Sequence, residues 1–221
     1  MSICELKNIT KIYSVGEQII PVKNISFEIN SGDFISIQGD SGTGKSTLLM
    51  IIGGLLKPSS GSIIYQGKDI TNYKEDNLAE HRGKNIGFLF QNVQLCEALT
   101  IEQNIILAKK YSGNNEISQE DIQFVMNELG ILDKRNFLPH QLSGGQKRRA
   151  MIATTWIRNP SLILADEPTN DLDHHWATKV FSLFCDWVSK GKAIVFVTHN
   201  DDWSNYATKK FHLNNGALTK I

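Results

Sequence analysis

Apolar positions change rhythm along this chain. Residues 22 to 29 alternate, with Ile25, Phe27 and Ile29 set against Asn24, Ser26 and Glu28, which is the pattern of a strand wet on one face; residues 3 to 9 also read as a strand. Phe34 to Gln38, Ile86 to Phe90, Leu162 to Ala165 and Ala193 to Thr198 are instead short, mainly apolar runs, as in strands buried on both faces. Thr47 to Ile52 reads as a helix. The breaker cluster Lys57-Pro58-Ser59-Ser60-Gly61 is followed by Ser62 to Tyr65, a predicted hairpin strand with Gly67 behind it. Thr71 to Lys84 predicts a polar helix with Leu78 and Ala79 on its inner side. From Leu95 to Trp156 helical signals replace strand signals. Thr100-Ile101-Glu102-Gln103 is a capping box, and Ser118-Gln119-Glu120-Asp121 opens a helix that stops near Gly130. A third helical pattern runs from Lys147 to Arg158 and ends at Asn159-Pro160. Another follows Asp173 as far as about Ser189. Lys210 to Leu213, the Asn215-Gly216 turn and Ala217 to Thr219 predict a closing hairpin. Strands interleaved with helices predict one α/β domain over 1–221, with a core of 1–94 and 157–221 and a helical insert at 95–156.

The candidate chemistry sits at the ends of the apolar runs. Gly39-Asp40-Ser41-Gly42-Thr43-Gly44-Lys45-Ser46-Thr47 places a Gly, four free positions and Gly-Lys-Ser between a strand and a helix. The glycines let backbone N–H groups curl inward, and the helix start adds partial positive charge, so the turn makes a socket for phosphate oxygens. Lys45 would reach the β- and γ-phosphates, and the Ser46 hydroxyl would ligate Mg²⁺. Ser143-Gly144-Gly145-Gln146, directly before a helical pattern, is a second anion-binding geometry in the same chain. Leu162 to Ala165 ends in Asp166 and Glu167. Beside the loop, Asp166 would hold Mg²⁺ directly or through water while Glu167 polarises an attacking water; alternatively the pair is solvated at a strand end. Gln91 ends one strand and is either a ligand contact or a solvent-facing cap. His199 ends another and either bonds a γ-phosphate or plays a structural part. Tyr13, in the polar stretch Lys11 to Glu17, either stacks on a flat base or covers the sheet edge.

Composition narrows the partners. The 221 residues hold 23 Lys plus Arg and 23 Asp plus Glu, so no global basic field recruits nucleic acid or an anionic membrane. The most apolar run, Leu48 to Leu56, covers nine residues including two glycines, whereas a spanning helix needs roughly 20. With no basic-then-apolar start, the expectation is a cytoplasmic protein. Cys4, Cys96 and Cys185 lie far apart and read as free thiols, mostly packing; adjacent His174 and His175 read as surface residues.

In their order, these pieces resemble the ATP-binding subunit of ATP-binding cassette (ABC) transporters, over essentially the whole chain. Residues 39–47 match the family's Walker A loop, a P-loop NTPase feature, and Leu142-Ser143-Gly144-Gly145-Gln146 reads as its signature motif. Leu162 to Glu167 matches Walker B, Gln91 the Q-loop, Asn170 to Asp173 the D-loop, and His199 the switch histidine; Tyr13 falls at the adenine-stacking aromatic. The resemblance implies a mixed central sheet with an N-terminal antiparallel β subdomain and an inserted α-helical subdomain. It also implies ATP and Mg²⁺ as ligands. The catalytic residues would be Lys45, Gln91, Glu167 and His199, with Ser46, Gln91 and Asp166 near the metal. It further implies a second copy, whose signature residues close over the first copy's nucleotide, and an integral membrane permease through which the chain sits on the inner face of the cell membrane. Asp76 to Gln91 and Ala165 to Asp173 look like the bacterial lipoprotein-releasing and macrolide- or peptide-exporting subfamily, which includes a cell-division member that signals without exporting. Thr154-Thr155-Trp156 departs from the family's usual Ala-Arg-Ala-Leu-like residues, Asn170 replaces a common Gly or Ser, and the Asp40 side chain must point away from the triphosphate.

Overall fold

The computed structural model describes residues 1–113 and 117–221. It opens with a long hairpin, β1 (Ser2–Val15) and β2 (Glu17–Asn30), followed by β3 (Phe34–Gln38), helix α1 (Lys45–Ile52), and the short strands β4 (Ser60–Tyr65) and β5 (Lys68–Asp69). Next come α2 (Glu75–Asn85), β6 (Ile86–Leu89), α3 (Ile101–Tyr111), α4 (Gln119–Glu128) and α5 (Gly144–Arg158). The chain closes through β7 (Leu162–Asp166), α6 (His174–Ser189), β8 (Ala193–Val197), α7 (Asp201–Ser204), β9 (Lys209–Asn214) and β10 (Ala217–Lys220).

Two sheets result. The first is antiparallel, in the order β2-β1-β4-β5. The second has the order β10-β9-β3-β8-β7-β6 and is parallel except for the β9–β10 hairpin, which makes it mixed. Helix α1 lies between the sheets. Its Leu48, Leu49, Ile51 and Ile52 join Leu6, Ile9, Ile29 and Ile63 of the first sheet and Ile35, Ile37 and Val195 of the second in one apolar cluster. The opposite face of the second sheet (Phe34, Ile163, Ile194, Phe196) packs on α5 and α6, and Ile101, Ile105, Ile122 and Met126 of the inserted helices belong to this same cluster. Phe181 stacks on Trp203 with centroids 5.0 Å apart, and Phe196 lies 5.3 Å from Phe181. The strands β3, β8, β7 and β6 are thus buried on both faces, which is why they read as mainly apolar runs.

The helix starts follow the expected chemistry. Thr100 and Gln103 form a reciprocal capping box at α3, and Ser118 caps α4. At α6 the Asp173 carboxylate accepts the Trp176 N–H at 2.8 Å. Thr155 is buried and offers its hydroxyl to the Phe88 carbonyl at 3.4 Å, while Trp156 packs between Phe124 and Trp187, so the departure at 154–156 leaves that face filled.

Several expectations are corrected. Tyr13 lies within a strand, because β1 and β2 stay paired beyond residues 11–13 instead of opening into a polar loop. Ala79 is exposed and only Leu78 of that pair packs inward. Helix α5 begins at Gly144, so the signature residues form its first turn. Of the thiols only Cys4 is buried, its pKa pushed up to about 12 by burial; Cys96 and Cys185 are exposed. No helix among the described residues is long and apolar enough to cross a membrane.

Candidate functional site

Parallel strands β3, β8, β7 and β6 all end at one edge of the second sheet, so the residues just beyond them converge. There a cleft of about 760 Å³ is lined by Ser41, Gly42, Gly44, Lys45, Ser46 and Thr47, by Gln91, Asp166, Glu167, Asn170 and His199, and by Tyr13, Ile19 and Pro21 from the β1–β2 hairpin. Strands distant in sequence thus bring together most of the residues singled out. Gly39, Asp40 and Thr43 stand behind the lining: the Asp40 carbonyl accepts the Thr43 hydroxyl at 2.9 Å, and Asp40 itself is exposed.

The loop's shape depends on Gly44, the N-cap of α1. Its φ of +103° suits glycine, and a Cβ there would stand 2.6 Å from the Pro21 carbonyl oxygen. Glycine also leaves the first turn of α1 without a side-chain cap, so its N–H groups are presented to the cleft as an anion site. Lys45 is buried and donates to the Gly39 carbonyl at 2.7 Å and the Asp40 carbonyl at 2.6 Å. Burial lowers its pKa, and the Glu167, Asp166 and Asp40 charges act against that shift. An anionic ligand would give this cation a stronger acceptor than two carbonyls.

Next to Lys45, the Ser46 hydroxyl donates to Asp166 Oδ2 at 2.5 Å. A hydroxyl, a carboxylate and the amide oxygen of Gln91 form a hard-oxygen set that suits Mg²⁺. No group of three or more His, Cys, Asp or Glu that could hold a metal ion is present among the described residues. Glu167 adopts φ +48°, a conformation uncommon for a side-chain-bearing residue. Its N–H donates to the Val197 carbonyl at 3.0 Å, and its carboxylate accepts the His199 N–H at 3.0 Å with His199 Nε2 3.5 Å away. Burial raises the Glu167 pKa, while the neighbouring His199 pulls it down. A carboxylate held this way, made more basic by burial, is suited to accept a proton from water.

The signature residues stand elsewhere. Ser143, Gly144, Gly145 and Gln146 line a separate groove of about 460 Å³ with Arg149, Asp171, Asp173 and Trp176, and this groove shares no lining residue with the first cleft. The Ser143 oxygen accepts the Gln146 N–H at 3.3 Å, and Gln146 Oε1 accepts the Ser143 N–H at 3.0 Å. With its oxygen engaged as a cap, the Ser143 hydroxyl hydrogen remains available to an outside acceptor.

Sequence reasoning missed Ile19 and Pro21, which join Tyr13 in an apolar wall, and it missed Arg148. Arg148 lies three and four residues before buried Met151 and Ile152, and that helical spacing marked it as inward-facing.

A mixed sheet with a phosphate loop after its central strand, and a carboxylate pair at the end of the strand two places away, defines a phosphate-loop nucleotide hydrolase. The chain belongs to the ABC transporter family, whose model matches residues 22–170. It is 39% identical over 200 residues to the ABC transporter ATP-binding protein YknY of Bacillus subtilis, covering 90% of this chain and 87% of the relative. It is 36% identical to the bacitracin export ATP-binding protein BceA of Halalkalibacterium halodurans, covering 99% of this chain and 87% of that one. A dimeric post-hydrolysis structure of the ATP-binding cassette MJ0796, bound to ADP and Pi, superimposes with a TM-score of 0.91 at 35% identity, covering 98% of each chain. The chain is therefore an ATP-binding, ATP-hydrolysing cassette of an ABC transporter, and its relatives include the macrolide and peptide exporter ATPases expected from the sequence.

Proposed function

We propose that two copies of this chain close head to tail around two ATP molecules and that this closure powers a separate membrane permease. The observation that carries the proposal is the placement of the two phosphate-type sites of one chain in separate clefts. Each would be completed by its counterpart on the other copy, and the dimeric form of the MJ0796 cassette supports that arrangement. In the cleft, Lys45 and the N–H groups at the start of α1 hold the β- and γ-phosphates, and Tyr13 stacks on adenine. Ser46, Asp166 and Gln91 would hold Mg²⁺, which when bound neutralises phosphate charge. Glu167 takes the proton of the attacking water, and His199, bonded to Glu167 through its own backbone, contacts the γ-phosphate. Ser143 and the Gly144, Gly145 and Gln146 amides approach that phosphate from the other copy. Binding stabilises the closed pair, and loss of the γ-phosphate bridge releases it.

Transport is favoured over the signalling alternative by a relative named for bacitracin export. The balanced charge leaves nucleic acid without support as a partner. A groove of about 330 Å³ beside Gln91, lined by Phe88, Phe90, Gln94 and Tyr111, suits the permease, which would hold the chain at the inner face of the membrane.

Glu167→Gln tests the proposal. Loss of a general base lowers turnover by about two to four orders of magnitude, while ATP still binds and accumulates a dimer visible by light scattering. A variant that stays monomeric with ATP and still turns over would refute it.

A further inference from the structure

Arg148 is fully buried on α5, just past the signature residues. Its Nη1 donates to the Phe90 carbonyl at 2.6 Å, its Nη2 to the Gln91 carbonyl, and its Nε to the Asn170 carbonyl at 3.2 Å. Asp171 Oδ2 lies 3.6 Å from Nη2 and leaves its own side chain largely exposed. One guanidinium therefore joins three segments: the signature helix, the strand end carrying Gln91, and the loop between Glu167 and α6. The backbones also touch directly, since a Cβ on Gly145 would stand 2.8 Å from the Asp171 carbonyl oxygen.

Loop carbonyls cannot bond one another, and buried unpaired acceptors are costly. A planar guanidinium spreads five N–H donors over three nitrogens in a fixed geometry and so spans three separated carbonyls, whereas an ammonium offers its three donors from a single atom. The neighbours of Arg148 on α5, Ala150 to Ala153, are buried and fill the core with apolar atoms, so packing alone does not call for a cation at this turn. What the cation accomplishes is registry. Gln91 and Asn170 line this chain's own cleft, whereas Ser143 to Gln146 line the groove that faces a second copy.

We propose that Arg148 is a positioning residue for hydrolysis, fixing Gln91 and Asn170 in one copy's cleft relative to the signature turn that the same copy offers to its partner. The inference rests on the dimer reading above. It makes the two composite sites of a dimer geometrically dependent on each other, through a side chain that touches no nucleotide.

The test uses the full chain with Arg148→Lys. ATP affinity, measured by calorimetry below the concentrations at which dimers form, is expected to stay within about threefold of the parent, because Arg148 contacts none of residues 39–47. At saturating ATP and Mg²⁺, kcat is expected to fall about tenfold or more. In a Glu167→Gln background, the protein concentration needed for the ATP-bound dimer should rise by a similar factor. A lower melting temperature with unchanged kcat and unchanged dimerisation would show a core-filling role and overturn the proposal. Should Arg148→Lys fail to fold, Asp171→Asn neutralises only the half-exposed carboxylate at the outer edge of the guanidinium and leaves the buried Arg148 and its three carbonyl partners in place. It should lower kcat several-fold, and unchanged kcat there would equally overturn the proposal. Where both variants fold, their effects should combine less than multiplicatively, since they act on one contact. If Glu167→Gln never dimerises but Arg148→Lys still loses kcat, the dimer reading fails while the placement of Gln91 and Asn170 by Arg148 stands.

Discussion

Replacing Tyr13 by Ala separates base recognition from phosphate chemistry. Tyr13 sits on β1 opposite Ile19 of β2, is 37% exposed, and has the Lys11 ammonium 5.3 Å from its ring centroid. The ring belongs to neither apolar core cluster, so the variant should melt close to the parent. Aromatic stacking on a base is worth about 1–3 kcal/mol. At about 1.4 kcal/mol per tenfold, its loss raises Kd for ATP about 5- to 150-fold. Calorimetry reads this directly, and tripolyphosphate serves as the internal control, because it fills the Lys45 loop and lacks a base. Its affinity should not change. Tyr13→Phe keeps the ring and should stay within about twofold of the parent, and kcat at saturating ATP should be preserved in both variants. Unchanged ATP affinity in Tyr13→Ala, an equal loss of tripolyphosphate binding, or a pure kcat defect would each refute the stacking assignment.

Lys45→Ala deletes the cation that now rests on the Gly39 and Asp40 carbonyls. A charged hydrogen bond contributes about 1.5–3 kcal/mol, so ATP affinity by calorimetry should weaken about 10- to 150-fold, and unchanged affinity would remove Lys45 from the phosphate site. The raised pKa of Glu167 carries a stability consequence. Between its ordinary value of 4.5 and its higher folded value, the folded chain holds more protons than the unfolded one, so stability falls as pH rises through that window, and the full cost is present above it. Without nucleotide, Glu167→Gln should therefore melt higher than the parent at pH 7.5, with the difference closing below pH 4.5; a variant that melts lower at pH 7.5 would contradict the burial argument.

The β3–loop–α1 unit, β7 with its two carboxylates and β8 with His199 were legible because strands buried on both faces leave mainly apolar runs, and phosphate-binding loops need small residues at fixed spacing. The β1–β2 hairpin was only half legible. Its distal part carries polar residues on exposed positions and interrupts its register between Ile9 and Lys11 and again before Tyr13, so hydrophobic alternation fades while backbone pairing continues. Arg148 was lost for a different reason. Its spacing to Met151 and Ile152 put it on the inward face, but its charge argued for solvent, and nothing local announces that three carbonyls from residues 90, 91 and 170 will converge on it. Ala79 shows the converse: an apolar side chain too small to reveal which way it faces.

In the proposed dimer, the separate placement of the cleft and the signature groove would make dilution an off-state. A lone cassette would hold ATP yet lack the groups that close over the γ-phosphate, so turnover per chain should depend on encounter with another copy. Anchoring two copies to one permease would remove that dependence, because tethered partners meet at effective concentrations on the order of millimolar. The permease would then be more than the load that this engine drives: by setting the local concentration, it would also decide where in the cell ATP is spent.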